Sequence, residues 1–249
     1  MSKDFYSFYY LKYGEIFLLL IFVVSYGCLA QVKSGRIDYK ILMPESAFEL
    51  KSVNISMRDY MKNELMKLKQ AYSSTQFRLK FNHSNSMFKV LQTMSIDGQN
   101  TSNDVAMSAD ANGIFYTDAP SKSVIRQVHF ENTEYLVKEE YPAFEWKILD
   151  KTKQIGQYTC YKAVAIKKLG NGKSIPVEAW VATSLPFNYG PTNYSGAGGL
   201  ILELKTPLFI FKVSEIRLFD EEREINFIDT DEELISLSKW NALFRRGWN

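Results

Sequence analysis

Apolar and polar side chains alternate with a period of two along most of the chain, the spacing of strands with one buried face. In Ser34–Leu42, Ile37, Tyr39 and Ile41 fall on one side. Shorter alternating runs follow at residues 77–81, 87–90, 113–116, 123–128, 134–137 and 144–148, separated by turn-forming clusters at Asn82–Asn85, Asp97–Asp104 and Asp118–Pro120. Tyr158–Lys168 alternates again. Leu169-Gly-Asn-Gly-Lys173 is a hairpin signal, because Asn-Gly accepts positive φ at both central positions, and Val177–Val181 is the return strand. Leu200–Leu204 and Phe209–Phe219 make a further strand pair across Thr206-Pro207. The period lengthens twice. Met61, Leu65, Leu68 and Tyr72 are spaced for one face of a helix, with Ser56 and Asp59 as a capping pair. Thr230 and Glu233 form a second capping box ahead of Leu234, Leu237, Asn241 and Phe244. The pattern predicts a mainly-β fold: one long, curved antiparallel sheet, a half-barrel like that of lipoprotein carriers, with a helix after the first strand and a C-terminal helix.

Ahead of this domain, Ile16–Val24 is an unbroken apolar run behind Lys3 and Lys12, followed by the small residues Ser25, Gly27, Cys28 and Ala30. That layout resembles a secretory signal peptide. Its apolar run rises only about 14 Å as a helix against a hydrocarbon core of about 30 Å, so the mature chain is expected to carry no transmembrane span. Cleavage after Ala30 starts the mature chain at Gln31; lipidation at Cys28 is the competing reading, weakened by bulky Tyr26. The expected organisation is a signal peptide over 1–30 and one β domain over 31–249, exported to the periplasm or associated with the outer membrane. Removing the signal takes away Lys3 and Lys12 with Asp4 and Glu15, which leaves the net charge at +2. It also leaves Cys160 without a disulfide partner.

Composition narrows the chemistry. Thirty Lys and Arg against 28 Asp and Glu provide no electrostatic footprint for nucleic acid. Two histidines, His83 and His129, lack metal-ligand spacing, and no cofactor motif is present. Asp97–Asp104 has the composition of a calcium loop without its alternating ligands or closing Glu, and reads as a mobile polar loop. Cys160 lies within an alternating strand, where packing is a better account than nucleophilic catalysis. No catalytic or metal-binding constellation is expected.

The most specific pattern runs from Trp146 to Leu204. Trp146-Lys-Ile-Leu149, Ile155-Gly-Gln-Tyr158, Cys160-Tyr-Lys-Ala163, Glu178-Ala-Trp180, Leu185-Pro186, Gly190-Pro191 and Ser195-Gly-Ala-Gly-Gly-Leu-Ile-Leu-Glu203 follow in that order. This resembles the GLPGLI family, exported proteins of the Bacteroidota whose function is unknown. The hexapeptide that names the family reads Gly196-Ala197-Gly198-Gly199-Leu200-Ile201 here, with the usual Leu and Pro replaced. Glycine in place of proline opens the turn to positive φ and predicts a looser loop. A phosphate-cradling role for Gly196, Gly198 and Gly199 is disfavoured, because a strand and not a helix follows. Phe187, Tyr189 and Tyr194 sit among Pro186, Gly190 and Pro191, where side chains commonly reach solvent, and are expected to serve recognition. The expected role is a non-enzymatic binding or interaction module engaging an envelope protein. A carrier holding a hydrophobic ligand in the concave face is the alternative.

Overall fold

The structure is a computed structural model that describes residues 32–44, 55–92, 101–130, 132–139, 141, 144–169, 172–228 and 233–246; for 55–61 and 244–246 it describes the backbone alone. The expected signal peptide, Cys28, Ala30, Gln31, Thr230 and the Met61 side chain therefore lie outside the described residues. The first half comprises β1 (Ser34–Leu42), α1 (Ile55–Ser74), β2 (Gln76–Asn82), β3 (Asn85–Leu91), α2 (Thr101–Ser108), β4 (Ile114–Asp118), β5 (Ser123–Phe130) and β6 (Thr133–Glu139). The second comprises β7 (Lys147–Ile155), β8 (Tyr158–Lys168), β9 (Ser174–Ala182), β10 (Leu200–Lys205), β11 (Ile210–Phe219), β12 (Leu234–Ser236) and α3 (Leu237–Arg246).

All twelve strands form one open sheet in the order β12-β6-β5-β4-β3-β2-β1-β11-β10-β9-β8-β7. Two antiparallel meanders, β2 to β6 and β7 to β11, are joined by β1, which pairs with β2 on one side and β11 on the other. Only β12 runs parallel to its neighbour, β6. The alternation of β1 is realised as expected: Ile37, Tyr39 and Ile41 are wholly buried, whereas Arg36 and Lys40 face outward. Tyr39, Phe77, Phe88 and Phe211 meet on the inner face, with Phe77 stacked on Phe88 at 5.5 Å and edge-on to Phe211 at 5.0 Å. Burial of each such ring contributes about 1.5–3 kcal/mol.

One polar contact shows how strongly the sheet curls. Lys167 on β8 lies 2.9 Å from Asp110, which precedes β4. Seven strand-to-strand steps separate β4 from β8 in the sheet, about 34 Å at ordinary strand spacing, so the sheet must bend back on itself.

Three local expectations are corrected. Thr101–Ser108 is a helix, not part of a mobile loop, and it buries Ser102, Val105 and Ala106. The apolar face expected of α1 is buried only in part: Tyr72 is buried and Leu65 half-buried, but Leu68 is exposed. Leu234 belongs to β12, and the helix begins three residues later, where Ser236 Oγ accepts a hydrogen bond from Lys239 N. No helix among the described residues is long and apolar enough to cross a membrane.

Candidate functional site

Residues 183–199 run from β9 to β10 as a strap over the inner face. The strap is tied by its own backbone: Leu200 N donates to Leu185 O, Gly196 N to Asn188 O and Ile201 N to Tyr189 O. Its aromatic side chains point into the protein. Phe187, Tyr189 and Tyr194 are buried, which corrects the expectation that they reach solvent. Phe187 packs on Phe81 at 4.7 Å, Tyr194 stacks on Phe144 at 4.6 Å, and Trp146 Nε1 donates to Ser195 O. The physical reason is the curl of the sheet, which gives the strap an apolar surface to cover. Its glycines have separate tasks. Gly196 and Gly198 are exposed at φ near +79° and +78°, whereas a Cβ on Gly199 would stand 2.6 Å from Ala182 O.

The strap also delivers Asn193 to a buried ionic network that the sequence reading missed. Arg126 on β5 and Glu139 on β6 are inward-facing, with side chains only 4% exposed, and approach to 3.8 Å. Arg126 Nε donates to Asn112 O at 2.9 Å and Nη2 donates to Asn112 Oδ1. Arg126 Nη1 reaches Asp110 at 3.1 Å. Its guanidinium lies 5.0 Å from the Phe115 ring and 6.0 Å from that of Trp240. Asn193 Nδ2 donates to Glu139 Oε2 at 2.5 Å. Lys167 completes the set through Asp110 and lies over the Tyr194 ring, whose buried hydroxyl makes no hydrogen bond of ordinary geometry.

The electrostatics follow from this placement. Burial pushes the Glu139 carboxyl above its usual range, and Arg126 offsets only part of that. At Asp110 desolvation acts upward, but Lys167 and Arg126 outweigh it and hold the carboxyl below its usual value. Desolvation pulls Lys167 down, and the charge of Asp110 reverses this to a net rise.

Two grooves flank the network. One, of about 780 Å³, is lined by Phe144, Val164, Ile166, Pro176 and Leu237 with Lys167 and Asn193 at its inner wall. The other, of about 940 Å³, lies beyond Glu139 and is bordered by Lys138, Tyr141 and the start of α3. Leu237 lines both. The first groove has an exposed apolar side chain in its lining, since Ile166 is 62% exposed.

The remaining sequence candidates are dispersed. Cys160 is buried, its Sγ donates weakly to Tyr158 O, and burial pushes its thiol up to about 11. His129 pairs with Glu134 on the surface, and His83 stacks on Phe187. Among the described residues, no three His, Cys, Asp or Glu side chains are grouped as metal ligands.

No family model and no curated protein matches the chain. It is similar in fold to the solved structure of PNGF-II in the P21 space group, with a TM-score of 0.51 and 10% identity over 86% of this chain and 33% of that one. The C2 form of PNGF-II aligns with a TM-score of 0.48 and 11% identity, covering 86% and 32% of the two chains. The chain thus spans about a third of the length of the solved chains it matches.

Proposed function

We propose that the chain is an exported cell-envelope module of the GLPGLI type, which acts by binding a partner protein and performs no catalysis. The observation that carries this reading is the groove of about 780 Å³ with Ile166 exposed at its rim. Exposed apolar side chains beside a concave, partly charged surface suit protein recognition. The Arg126–Glu139–Asp110–Lys167 network supports it from beneath, because it fixes the groove wall through Asn193 and satisfies its own charges internally. In this reading Phe187, Tyr189, Tyr194 and the glycines Gly196, Gly198 and Gly199 shape the strap and do not themselves touch the partner.

The hydrophobic-carrier reading is less well supported, because Tyr39, Phe77, Phe88 and Phe211 pack the space in which an acyl chain would have to lie. A photo-crosslinking residue at position 166, compared in intact cells with one at exposed Thr159, tests the choice. A protein adduct of discrete mass from position 166 alone, lost on Val164→Glu, is expected. Absence of that adduct would reject the interaction module.

A further inference from the structure

A different corner of the sheet combines unpaired charge with exposed apolar side chains. On the outer face, Lys40 of β1 stands directly opposite Lys212 of β11. Like charges in direct register repel. The same strand pair holds a second such match, Arg36 opposite Arg217, but there Glu215 lies between them at 2.8 and 2.7 Å. No carboxylate does this for Lys40 and Lys212 among the described residues. Glu203, in register with Lys212, is engaged by Lys153 at 2.7 Å. Lys205 adds a further exposed cation at the end of β10.

The apolar component sits at the same end. Leu42, two residues beyond Lys40 on the outer face, is 36% exposed and pairs with Ile210, which also pairs with Lys205. Leu208, at the tip of the β10–β11 turn, is 54% exposed. That turn is well braced. Thr206 Oγ1 accepts from Leu208 N and Phe209 N, Thr206 N donates to Phe209 O, and Phe209 is buried against Phe211. Phe209 anchors the turn inside while Leu208 is held outward.

We infer that the corner formed by Leu42, Leu208, Lys40, Lys205 and Lys212 is a peripheral membrane-binding surface for anionic phospholipid. Lysines meet the headgroup phosphates, and the leucines enter the boundary of the acyl chains, the division of labour that interfacial binding requires. A soluble polyanion would satisfy the lysines but give Leu208 nothing to enter.

The test is co-sedimentation of the protein, as isolated from the cells that make it, with vesicles of equal parts phosphatidylglycerol and phosphatidylcholine, against phosphatidylcholine alone. Any apolar or lipidated N-terminus contributes alike to every sample, so the readout is the phosphatidylglycerol-dependent increment. That increment is expected to vanish at high salt, to fall about tenfold or more in Lys40→Gln/Lys212→Gln, and to fall about tenfold in Leu208→Ser. All three substitutions are on the surface, and unchanged thermal melts verify that the variants fold. No phosphatidylglycerol dependence would overturn the proposal. So would an increment that Leu208→Ser leaves intact while heparin competes it away, since that outcome assigns the lysines to a soluble polyanion.

Discussion

Removing the guanidinium of Arg126 tests whether the buried network stabilises the curled sheet through charge. In Arg126→Met, Glu139 keeps its bond from Asn193 but loses the cation facing it inside the fold. Breaking one side of a buried pair costs about 3–5 kcal/mol. The Asp110 contact adds under about 1 kcal/mol, because that side chain is 58% exposed and screened. Methionine retains much of the packing against Phe115 and Trp240, so the expected loss near neutral pH is about 4 kcal/mol. At about 2–4 °C per kcal/mol for a domain of this size, the melting temperature falls by about 8–16 °C. The sign with pH is fixed by Glu139. Its folded pKa is raised, so its contribution to stability is fully present below the unfolded value and is lost as pH rises through the folded one. Without Arg126 that rise is larger, and the deficit of the variant should be smaller near about pH 5 than near about pH 8. Calorimetry at both values measures it, and adding Glu139→Gln should recover much of the loss and flatten its pH dependence. An equal deficit at both pH values with no recovery would refute the charge argument and leave Arg126 as a packing residue.

The strap and core give further expectations. Gly199→Ala should cost about 1–3 kcal/mol through the clash with Ala182 O, whereas Gly198→Ala, strained in φ but open in space, should cost about 1 kcal/mol; urea melts compare them. Tyr39→Phe leaves Ile201 O without its 2.6 Å hydrogen bond, and chemical denaturation should show a loss of about 1–3 kcal/mol. Cys160 should resist maleimide in the native protein and react once the chain is unfolded, because it is buried and its thiol is pushed up to about 11; labelling of the native form would show that β8 opens.

Much of the sheet is legible in the chain because one buried face imposes period-two alternation: β1 occupies the residues its pattern predicts, as do β8 and most of β2. Most of β7 is not legible. As an edge strand exposed along much of its length, its Asp150-Lys-Thr-Lys-Gln154 segment shows no apolar period. The polar composition of α2 likewise conceals a helix whose buried side is only Ser102, Val105 and Ala106. The strap was identifiable as unusual, but the direction of its aromatic rings depends on a surface built by strands far away in sequence. The ionic network did leave a trace. Arg126 falls in phase with inward Val124 and Val128, Glu139 with Val137, and Lys167 with Ala163 and Ala165. Charges on the inward phase of three strands signal partners, although no local rule pairs Lys167 with Asp110.

The placement of β1 between β2 and β11 sets an order of events as the chain is made. The first meander can assemble on β1 as soon as β2 emerges, yet the other edge of β1 has no partner until Ile210–Phe219 arrives. Until then β1 and the growing second meander present open hydrogen-bonding edges, the condition under which chains pair wrongly with one another. Closure of the β1–β11 ladder joins residues separated by nearly the whole domain, which makes it a slow, late step. A fold that cannot finish before its last long strand is available therefore keeps its central strand half-paired through most of the chain's synthesis.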